Sequence, residues 1–459
     1  MLRDQARRIV LSLALLFAPG AALVLTQGGS PAPAADASLA GTLPDGSNYR
    51  VVKPARWNGT LVLDLDFANN PSAPPGAIEL WMLANGYAIG GISREPVAYR
   101  FPQAVDDLLA VRRLFIDRWG LPQRTLSLGN SRGAFVSRIA LERRPDVFVG
   151  AVMSAGGGAG EVALHNAKLD ALWALRQFSG VPLVVAGFST QADAAAEGGK
   201  IQQAVKTLQA TPVGRARLAL AAAFEQLPEW ADGERAPGDT DFEAQVEQLA
   251  IGFGAGHPAV VRYNIEQTAG GVFSWNTGVD YAELLSRSRL AVMVRALYAK
   301  AGADLDADLR MLAAAPRIAA SAPAVAMAEQ TMSYSGKISA PVLVVDNIGD
   351  PFDVAAFDRA YQRTVDAAGN GALLRTTWVR SSRHSTLSAL ERLAGFTALI
   401  ERLDTNRWPD TSPDAMNTRA MALAGVSNID LGPARFMTYQ PPDVLRPWDG
   451  RHWGTHQPR

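Results

Sequence analysis

The stretch Leu126-Ser127-Leu128-Gly129-Asn130-Ser131-Arg132-Gly133 decides how this chain is interpreted. Apolar and β-prone residues at 125–128 run directly into a Gly-x-Ser-x-Gly turn, and a helical pattern follows. A turn this tight holds its middle residue at a strained backbone position, with the side chain pushed outward beside a helix N-terminus. The pattern therefore predicts a strand that ends by presenting the hydroxyl of Ser131.

Two interpretations of these five residues are open. Gly-x-Ser-x-Gly also occurs as a plain glycine-rich turn between a strand and a helix. The surroundings favour a reactive serine, because a strand precedes the turn, a helix at 134–143 follows it and an apolar strand at 147–153 comes next. We interpret the turn as a nucleophile elbow, and we expect both glycines to be required because Cβ atoms would collide across it.

Composition narrows the class of protein. The chain has 459 residues, 48% of them hydrophobic, which is enough for a sizeable core. Its 44 basic and 44 acidic residues balance, so no charge excess points to nucleic acid or an anionic membrane as a partner. The absence of cysteine excludes a disulfide framework, a thiolate nucleophile and a Cys-ligated metal site.

The N-terminus has the pattern of a targeting segment. Three arginines within the first eight residues precede an apolar run, 9–25, which Pro19-Gly20 interrupts, and the small residues at 32–35 offer a cleavage site. A membrane anchor is the alternative, but the run is short and broken. We expect residues 1–34 to be a signal peptide, and the mature chain to be periplasmic or secreted without a stable membrane anchor.

Strands and helices alternate on both sides of the elbow. Strands are predicted at 48–53, 59–65, 87–93, 342–346 and 373–379, and helices at 77–85, 101–119, 354–367 and 386–403. This alternation predicts an α/β fold with a mostly parallel, doubly wound sheet. Active sites in such sheets lie at the carboxyl ends of the strands, where Ser131 is placed.

The alternation stops between the two halves of the predicted sheet. Helical patterns rich in Ala, Leu and Gln occupy this region, with one apolar run, 181–188, that fits a strand. The expected division of the chain is a first core part at 38–157, an inserted, mainly helical cap at 158–337, a second core part at 338–403 and an extension at 404–459. The extension has little periodicity and either wraps the core or forms a loosely ordered tail.

The predicted cap also carries scattered aromatic residues. They fit an apolar acyl or aryl group of a substrate, and core packing explains them equally well. They are Trp173, Phe178, Phe224, Trp230, Phe253, Phe273 and Trp275.

A serine hydroxyl needs a base to remove its proton, and the base needs an acid that fixes its tautomer. Of the five histidines, His384 follows a predicted strand and precedes a helix, at the same sheet edge as Ser131. His165 and His257 fall in the predicted cap, and His452 and His456 in a Trp-rich tail. His384 is therefore the expected base.

The acid is expected at the end of the preceding strand. Asp350 follows a loop long enough to turn back toward His384, which comes one helix and one strand later. Asp346 is expected to form hydrogen bonds within the loop, and Asp353 to cap the next helix. We interpret Asp350 as the acid.

At these positions the sequence resembles a known family. The segments Gly129-Asn130-Ser131-Arg132-Gly133, Gly349-Asp350-Pro351 and Arg383-His384 resemble the α/β-hydrolases, over roughly residues 48–157 and 338–402. The stretch Trp-Asn-Thr-Gly-Val-Asp at 275–280 looks like the cap of exported bacterial members. The resemblance implies that Ser131 is the nucleophile, His384 the general base and Asp350 the orienting acid.

One loop departs from the family pattern. Relatives commonly carry His-Gly after the third strand, where a backbone N–H completes the oxyanion hole, whereas this chain has Asp66-Phe67. We expect the N–H of Arg132 to be one oxyanion donor and the N–H of Phe67 or Ala68 to be the other. A carboxylate facing the oxyanion would oppose catalysis, so Asp66 is predicted to turn away and pair with N–H groups of its own loop.

The sequence thus predicts an exported serine hydrolase that cleaves a small or polymeric carboxylic ester through an acyl-enzyme on Ser131. No metal or cofactor is required by this chemistry. Two alternatives remain. A serine peptidase of the prolyl-oligopeptidase type would usually carry a propeller, whose repeats are not evident here. A binding protein that keeps the fold without catalysis is the other.

Overall fold

The structure of the protein, a computed structural model, describes residues 36–70 and 72–447. The predicted signal peptide, His452 and His456 lie outside the described residues. None of the described helices is long and apolar enough to span a membrane.

The described strands form one sheet of nine. They are β1 (Ala37–Thr42), β2 (Asn48–Lys53), β3 (Thr60–Asp64), β4 (Ala88–Ile92), β5 (Arg124–Asn130), β6 (Phe148–Ser154), β7 (Val342–Gly349), β8 (Leu374–Ser382) and β9 (Phe436–Met437). Their order is β1-β2-β4-β3-β5-β6-β7-β8-β9. The strands from β4 to β8 pair in parallel, and β1, β2 and β9 join antiparallel at the edges.

The helices cover both faces of this sheet or lie between β6 and β7. They are α1 (Ala77–Ala84), α2 (Phe101–Trp119), α3 (Arg132–Arg143), α4 (Gly160–Ser179), α5 (Gln191–Gln209), α6 (Pro212–Ala223), α7 (Phe242–Gly256), α8 (Ala259–Ala269), α9 (Tyr281–Arg287), α10 (Ala291–Ala301), α11 (Leu305–Ala314), α12 (Ala322–Met332), α13 (Ala355–Ala367), α14 (Ala389–Thr405) and α15 (Pro413–Val426).

The apolar run in β3 shows why helices cover both faces of the sheet. Leu61 and Leu63 belong to the core that α2, α3 and the helices after β6 close. Val62, between them, belongs to a second core on the opposite face, against α1 and α14. Successive side chains of a strand point to opposite faces, so a continuous apolar run requires apolar partners on both. The predicted mostly parallel, doubly wound α/β fold is confirmed.

The segment 158–337, which we call the helical segment, contains α4 to α12 and no β-strand. The prediction of a strand at 181–188 was wrong, for a visible reason. The N–H of Val184 donates to the buried carboxylate of Glu197 at 2.8 Å, and the N–H of Gly187 donates to Glu266 at 2.9 Å. Side-chain carboxylates thus satisfy a backbone that a neighbouring strand would otherwise pair with.

The described part of the extension after α14 packs around the core. It supplies α15 and the short strand β9, which pairs with β8 through Trp378 and Val379. Further along, Arg446 donates to the Asp170 carboxylate at 2.7 Å and to the Trp275 carbonyl at 2.9 Å. Up to residue 447 this chain therefore packs on the molecule rather than leaving it.

Candidate active site

The predicted elbow lies between β5 and α3. Ser131 has φ 54° and ψ −121°, a conformation that L-residues rarely adopt. Its N–H donates to the Ser154 carbonyl at the end of β6, at 2.9 Å, which helps to hold the turn. A Cβ on Gly129 would lie 2.3 Å from the Gly133 carbonyl oxygen. A Cβ on Gly133 would meet its nearest neighbour at 3.6 Å, so only the first glycine of the motif is required by close contact.

The structure brings the three predicted polar residues into one hydrogen-bonded chain. His384 Nε2 lies 2.8 Å from Ser131 Oγ, and His384 Nδ1 lies 2.7 Å from Asp350 Oδ2. Asp350 is fully buried, and the side chain of His384 is 28% exposed. A buried carboxylate on one ring nitrogen fixes the tautomer that leaves the other nitrogen free to accept a proton.

Two loops hold this chain in place. The second oxygen of Asp350 accepts the N–H groups of Phe352 at 2.8 Å and Asp353 at 3.0 Å. His384 stands between Arg383 and Ser385, both in the left-handed region at φ 67° and 58°. The amide of Asn130, in the elbow, donates to Ser385 Oγ at 3.2 Å, which ties the elbow to the histidine loop.

The electrostatics of His384 follow from these contacts. Burial lowers the pKa of His384, but the charge of Asp350 and its hydrogen bond to the ring outweigh burial, so the net pKa lies above the ordinary value. The imidazolium form is thus stabilised where a base must accept a proton.

Asp346 and Asp353, the other two aspartates of this region, have different surroundings. Asp346 lies within β7 against Asp358; burial, and then the charge of Asp358, raise the pKa of Asp346 well above its usual range. Asp358 in turn pairs with the buried Arg138 at 2.8 Å. Asp346 is therefore a neutral, structural carboxyl in this fold.

Asp353 does not cap the next helix, contrary to the prediction. The cap position of α13 is Val354, which has no side-chain hydrogen bond to offer. The Asp353 carboxylate instead accepts the N–H of Gly157, on the chain that follows β6. Burial, then repulsion from Asp358 and Asp350, raises the pKa of Asp353 to about 7.

The three backbone N–H groups considered for the oxyanion hole differ in the hydrogen bonds that they already make within the protein. Arg132 is the first residue of α3, so its N–H has no acceptor within the helix. The N–H of Ala68 donates to the Ile92 carbonyl at 3.2 Å, and Ala68 is fully buried. The N–H of Phe67 faces the Asp64 carbonyl at 3.5 Å, a weak contact. Phe67 is thus the freer of the two, and the second donor stays a prediction.

Asp66 pairs with different groups from those predicted. Its carboxylate accepts the guanidinium of Arg94 and the side-chain amide of Asn69, the latter at 2.9 Å, rather than N–H groups of its own loop. A neighbouring cation therefore compensates its negative charge.

A cavity of about 210 Å³ opens from this chain of residues into the helical segment. Ser131 and His384 border it, and the rest of its walls are mostly apolar side chains of the helical segment. These are Leu164, Leu172, Val184, Val185, Phe188, Ile201, Val261 and Ile265. A dry cavity of roughly 150 Å³ accommodates benzene, so this cavity is large enough for a substituted aromatic ring.

None of the seven aromatic residues singled out in the predicted cap lines this cavity. Trp173, for example, is buried against Tyr281, with ring centroids 5.1 Å apart. The aromatic wall comes instead from Phe188, at the end of the apolar run that does not form a strand, and from Tyr99, Phe135 and Phe352.

Several buried ionisable residues border the cavity, and no pattern in the sequence predicted that they would do so. Glu161 and His165, one turn apart on α4, face each other at 3.0 Å. Burial raises the pKa of Glu161 to about 8 and lowers that of His165 well below its ordinary value. Both are therefore uncharged near neutral pH.

The chain is similar to one curated protein over most of its length and, more distantly, to several solved structures. No family model matches the chain. Over 441 residues it is 32% identical to the o-phthalyl amidase of Xanthobacter agilis, an alignment that covers 89% of this chain and 96% of that protein. Similar solved structures include feruloyl esterase B from Aspergillus oryzae, which is 14% identical with a TM-score of 0.39 over 81% of each chain. Another is lipase A of Candida antarctica, 13% identical with a TM-score of 0.36 over 87% of this chain and 90% of that one. The chain therefore belongs to the family of hydrolases that includes the o-phthalyl amidase.

Proposed function

We propose that this protein hydrolyses an amide of an aromatic carboxylic acid through an acyl-enzyme on Ser131. The observation that carries the proposal is the chain of hydrogen bonds from Ser131 through His384 to Asp350, at 2.8 and 2.7 Å. It has the connectivity that activates a serine hydroxyl. The cavity beside it supplies an apolar space of suitable size for an aryl group.

In the proposed reaction Ser131 Oγ attacks the carbonyl carbon and its proton passes to His384 Nε2. The charge that develops on the carbonyl oxygen is stabilised by the N–H of Arg132 and by a second donor from the 65–68 loop. His384 then gives the proton to the leaving nitrogen as the C–N bond breaks. Water attacks the acyl group, its proton passes to His384, and the acid leaves with Ser131 restored.

The choice of an amide rests on the relative. The sequence alone favoured a carboxylic ester, whereas the relative that is 32% identical is named as an amidase. An amine leaves less readily than an alkoxide, so an amidase depends more strongly on protonation by His384. Esters of the same acids share the acylation step and are expected to be cleaved as well.

The proposal is tested in two steps. A fluorophosphonate probe should label wild-type protein and not Ser131→Ala, because only an activated serine reacts. Hydrolysis of paired anilides and phenyl esters of benzoic, 2-carboxybenzoic and acetic acids then ranks bond type and acyl group. Labelling without hydrolysis of any aryl amide would reject the amidase assignment, and absence of labelling would favour the non-catalytic binding protein.

We also propose that the chain is exported with cleavage near Ala34. The arginines and broken apolar run at the N-terminus support this, and β1 begins only at Ala37. Cleavage at Ala34 would leave intact the strand that pairs with β2. Mass spectrometry of the protein from a cell-envelope fraction should give an N-terminus between residues 32 and 38. An intact Met1 in the membrane fraction would contradict it.

A further inference from the structure

Four cations border the cavity in the described part of the chain, and three of them have a close carboxylate partner. Arg94 pairs with Asp66. Arg262 pairs with the buried Glu266 at 2.8 Å. Lys168 pairs with the buried Glu225 at 3.3 Å, and Arg132 is the exception.

Lys168 has its three N–H donors occupied. They contact Glu225 Oε1 at 3.3 Å, the Gly256 carbonyl at 2.7 Å and the Phe352 carbonyl at 2.8 Å. This ammonium group is thus committed to the protein and has no donor left for a substrate.

Arg132 is held in place without being neutralised. Its guanidinium lies 4.2 Å from the centre of the Tyr99 ring and donates to the Tyr99 hydroxyl at 3.1 Å. The carboxylate that reaches it is Glu95, at 3.7 Å, whose side chain is 83% exposed, while the Arg132 side chain is only 13% exposed. Arg132 Nε is buried and has no hydrogen-bond partner among the described residues.

The other carboxyl near Arg132 does not compensate its charge either. Glu161 borders the same cavity. Burial raises its pKa to about 8, although the positive charge of Arg132 acts in the opposite direction. Glu161 is therefore mostly protonated at neutral pH. An exposed pair such as Arg132 with Glu95 contributes little. The cavity that Ser131 borders therefore contains a positioned, poorly compensated cation.

We propose that the Arg132 side chain binds a substrate carboxylate that stands on the ring carbon adjacent to the one bearing the reacting carbonyl, so that the site prefers 2-carboxybenzoyl amides. This inference rests on the proposed aryl amidase function. A phthalyl group is a benzene ring with two adjacent carbonyl carbons, and in its monoamide the second is a free carboxylate. Arg132 and Ser131 border the same cavity, and the proposal places the bound carboxylate between the Arg132 guanidinium and the reacting carbonyl.

The expected preference has a physical basis in the charge of Arg132, which a substrate carboxylate would neutralise on binding. A buried cation without a partner is costly, and a substrate carboxylate supplies that partner together with charge-assisted hydrogen bonds. The N-terminus of α3, which begins at Arg132, adds a favourable dipole. A benzoyl group of the same shape would fill the apolar walls but leave Arg132 uncompensated.

The test is the preference of the enzyme among the anilides of benzoic, 2-carboxybenzoic and 4-carboxybenzoic acids. We expect wild-type kcat/KM to be highest for the 2-carboxy substrate. In Arg132→Gln the ratio of kcat/KM for the 2-carboxy over the unsubstituted anilide should fall about 10²-fold or more. Arg132→Lys, which keeps the charge but loses the planar fork, should give an intermediate ratio. Ser131→Ala measures the uncatalysed rate, because a neighbouring carboxylate can attack its own amide.

Two control variants keep the test specific. Arg143→Gln removes the same charge from the exposed last turn of α3, and its ratio should match wild type. Arg262→Gln removes the second cavity-bordering guanidinium that has a buried nitrogen without a hydrogen-bond partner, and a loss of preference there instead would place the carboxylate at Arg262 and overturn the inference. If wild type cleaves both anilides with equal kcat/KM, this inference fails alone. If it cleaves neither, the proposed function fails.

Discussion

Asp346 and Asp350 lie four residues apart at the end of β7 and differ in what surrounds them. Asp350 meets the histidine ring and two backbone N–H groups, whereas Asp346 faces another carboxylate inside the core. We expect Asp350→Asn to lower kcat by about 10⁴-fold, because the amide favours the wrong tautomer of His384. Asp346→Asn should keep most of the activity, since Asn mimics the protonated carboxyl that the fold already holds. Steady-state kinetics on one aryl ester decides between them, and the opposite ranking would reassign the acid.

The pH dependence of kcat/KM is a second consequence at the residue scale. His384 must be neutral to accept the Ser131 proton, and its pKa is raised above 6.5, so activity should fall on the acid side with a midpoint above pH 6.5. In Asp350→Asn the carboxylate that raises the pKa is gone while burial, which lowers it, remains. The midpoint should then move to lower pH, on top of the loss in rate.

Neighbouring groups that titrate in the same range must be separated from His384. The charge of Asp353, whose own pKa is about 7, raises the pKa of His384, and the charge of Lys168 lowers it. An uncharged ester removes any contribution from substrate ionisation, and Asp353→Asn removes the second titration. A midpoint that stays in place in Asp350→Asn but moves in Asp353→Asn would assign the acid limb to Asp353.

At the scale of elements, the two glycines of the elbow make unequal demands. Gly129→Ala would place a Cβ within 2.3 Å of the Gly133 oxygen and 2.5 Å of Ser137 Oγ, so β5 and α3 would have to move apart. We expect the free energy of unfolding to fall by ~2 kcal/mol or more. Gly133→Ala meets only ordinary contacts and replaces a helical glycine, so its effect should lie between zero and a gain of about 1 kcal/mol. Urea denaturation measures the free energy of unfolding of both variants. Equal losses of stability would contradict the unequal roles that the structure gives to the two glycines.

The elements that sequence periodicity predicted well are those whose pattern is local. The limits of β2 and α2 agree residue for residue with the predicted ranges 48–53 and 101–119. Each of these segments carries its own apolar periodicity and its own signals for where the element begins and ends. The strand β1, Ala-Ser-Leu-Ala-Gly-Thr, has only weak β-prone character and exists because it pairs with β2. The run 181–188 failed in the opposite direction, since its pairing partners are the buried carboxylates of Glu197 and Glu266.

The same reasoning explains how much of the site was predictable. Ser131, Asp350 and His384 each follow the end of a parallel strand within two residues, so strand order alone brings them to one edge. Arg132 was predicted only as a backbone donor, although its side chain also borders the cavity. The contacts of Lys168 join positions 57 to 184 residues apart, and no local pattern encodes them.

At the scale of the molecule, Lys168 connects the helical segment to the loop that carries Asp350. Its ammonium group, on α4, contacts Glu225 after α6, the carbonyl of Gly256 at the end of α7, and the carbonyl of Phe352. The centre of the Phe352 ring lies 4.7 Å from the centre of the His384 ring. By holding the Phe352 backbone, Lys168 therefore also supports the position of the histidine ring. Deleting one partner of a buried ion pair leaves the other uncompensated and costs about 3–5 kcal/mol. Here Glu225 keeps His257 at 2.6 Å, which favours the lower end of that range.

We therefore expect Lys168→Met to lower the free energy of unfolding by ~3 kcal/mol and to reduce kcat as well, because the Asp350 loop loses an anchor. Lys300→Met is the matched control: Lys300 pairs with Glu243 at 2.7 Å in the same helical segment, but its side chain is 68% exposed. Such exposed pairs contribute between zero and about 1 kcal/mol, so this variant should be nearly as stable as wild type and fully active. Denaturation curves followed by tryptophan fluorescence, together with kcat on an aryl ester, measure both effects. A Lys168→Met protein with wild-type kcat and lowered stability would show that the helical segment stabilises the fold without positioning Asp350, and would leave that role to the backbone hydrogen bonds from Phe352 and Asp353.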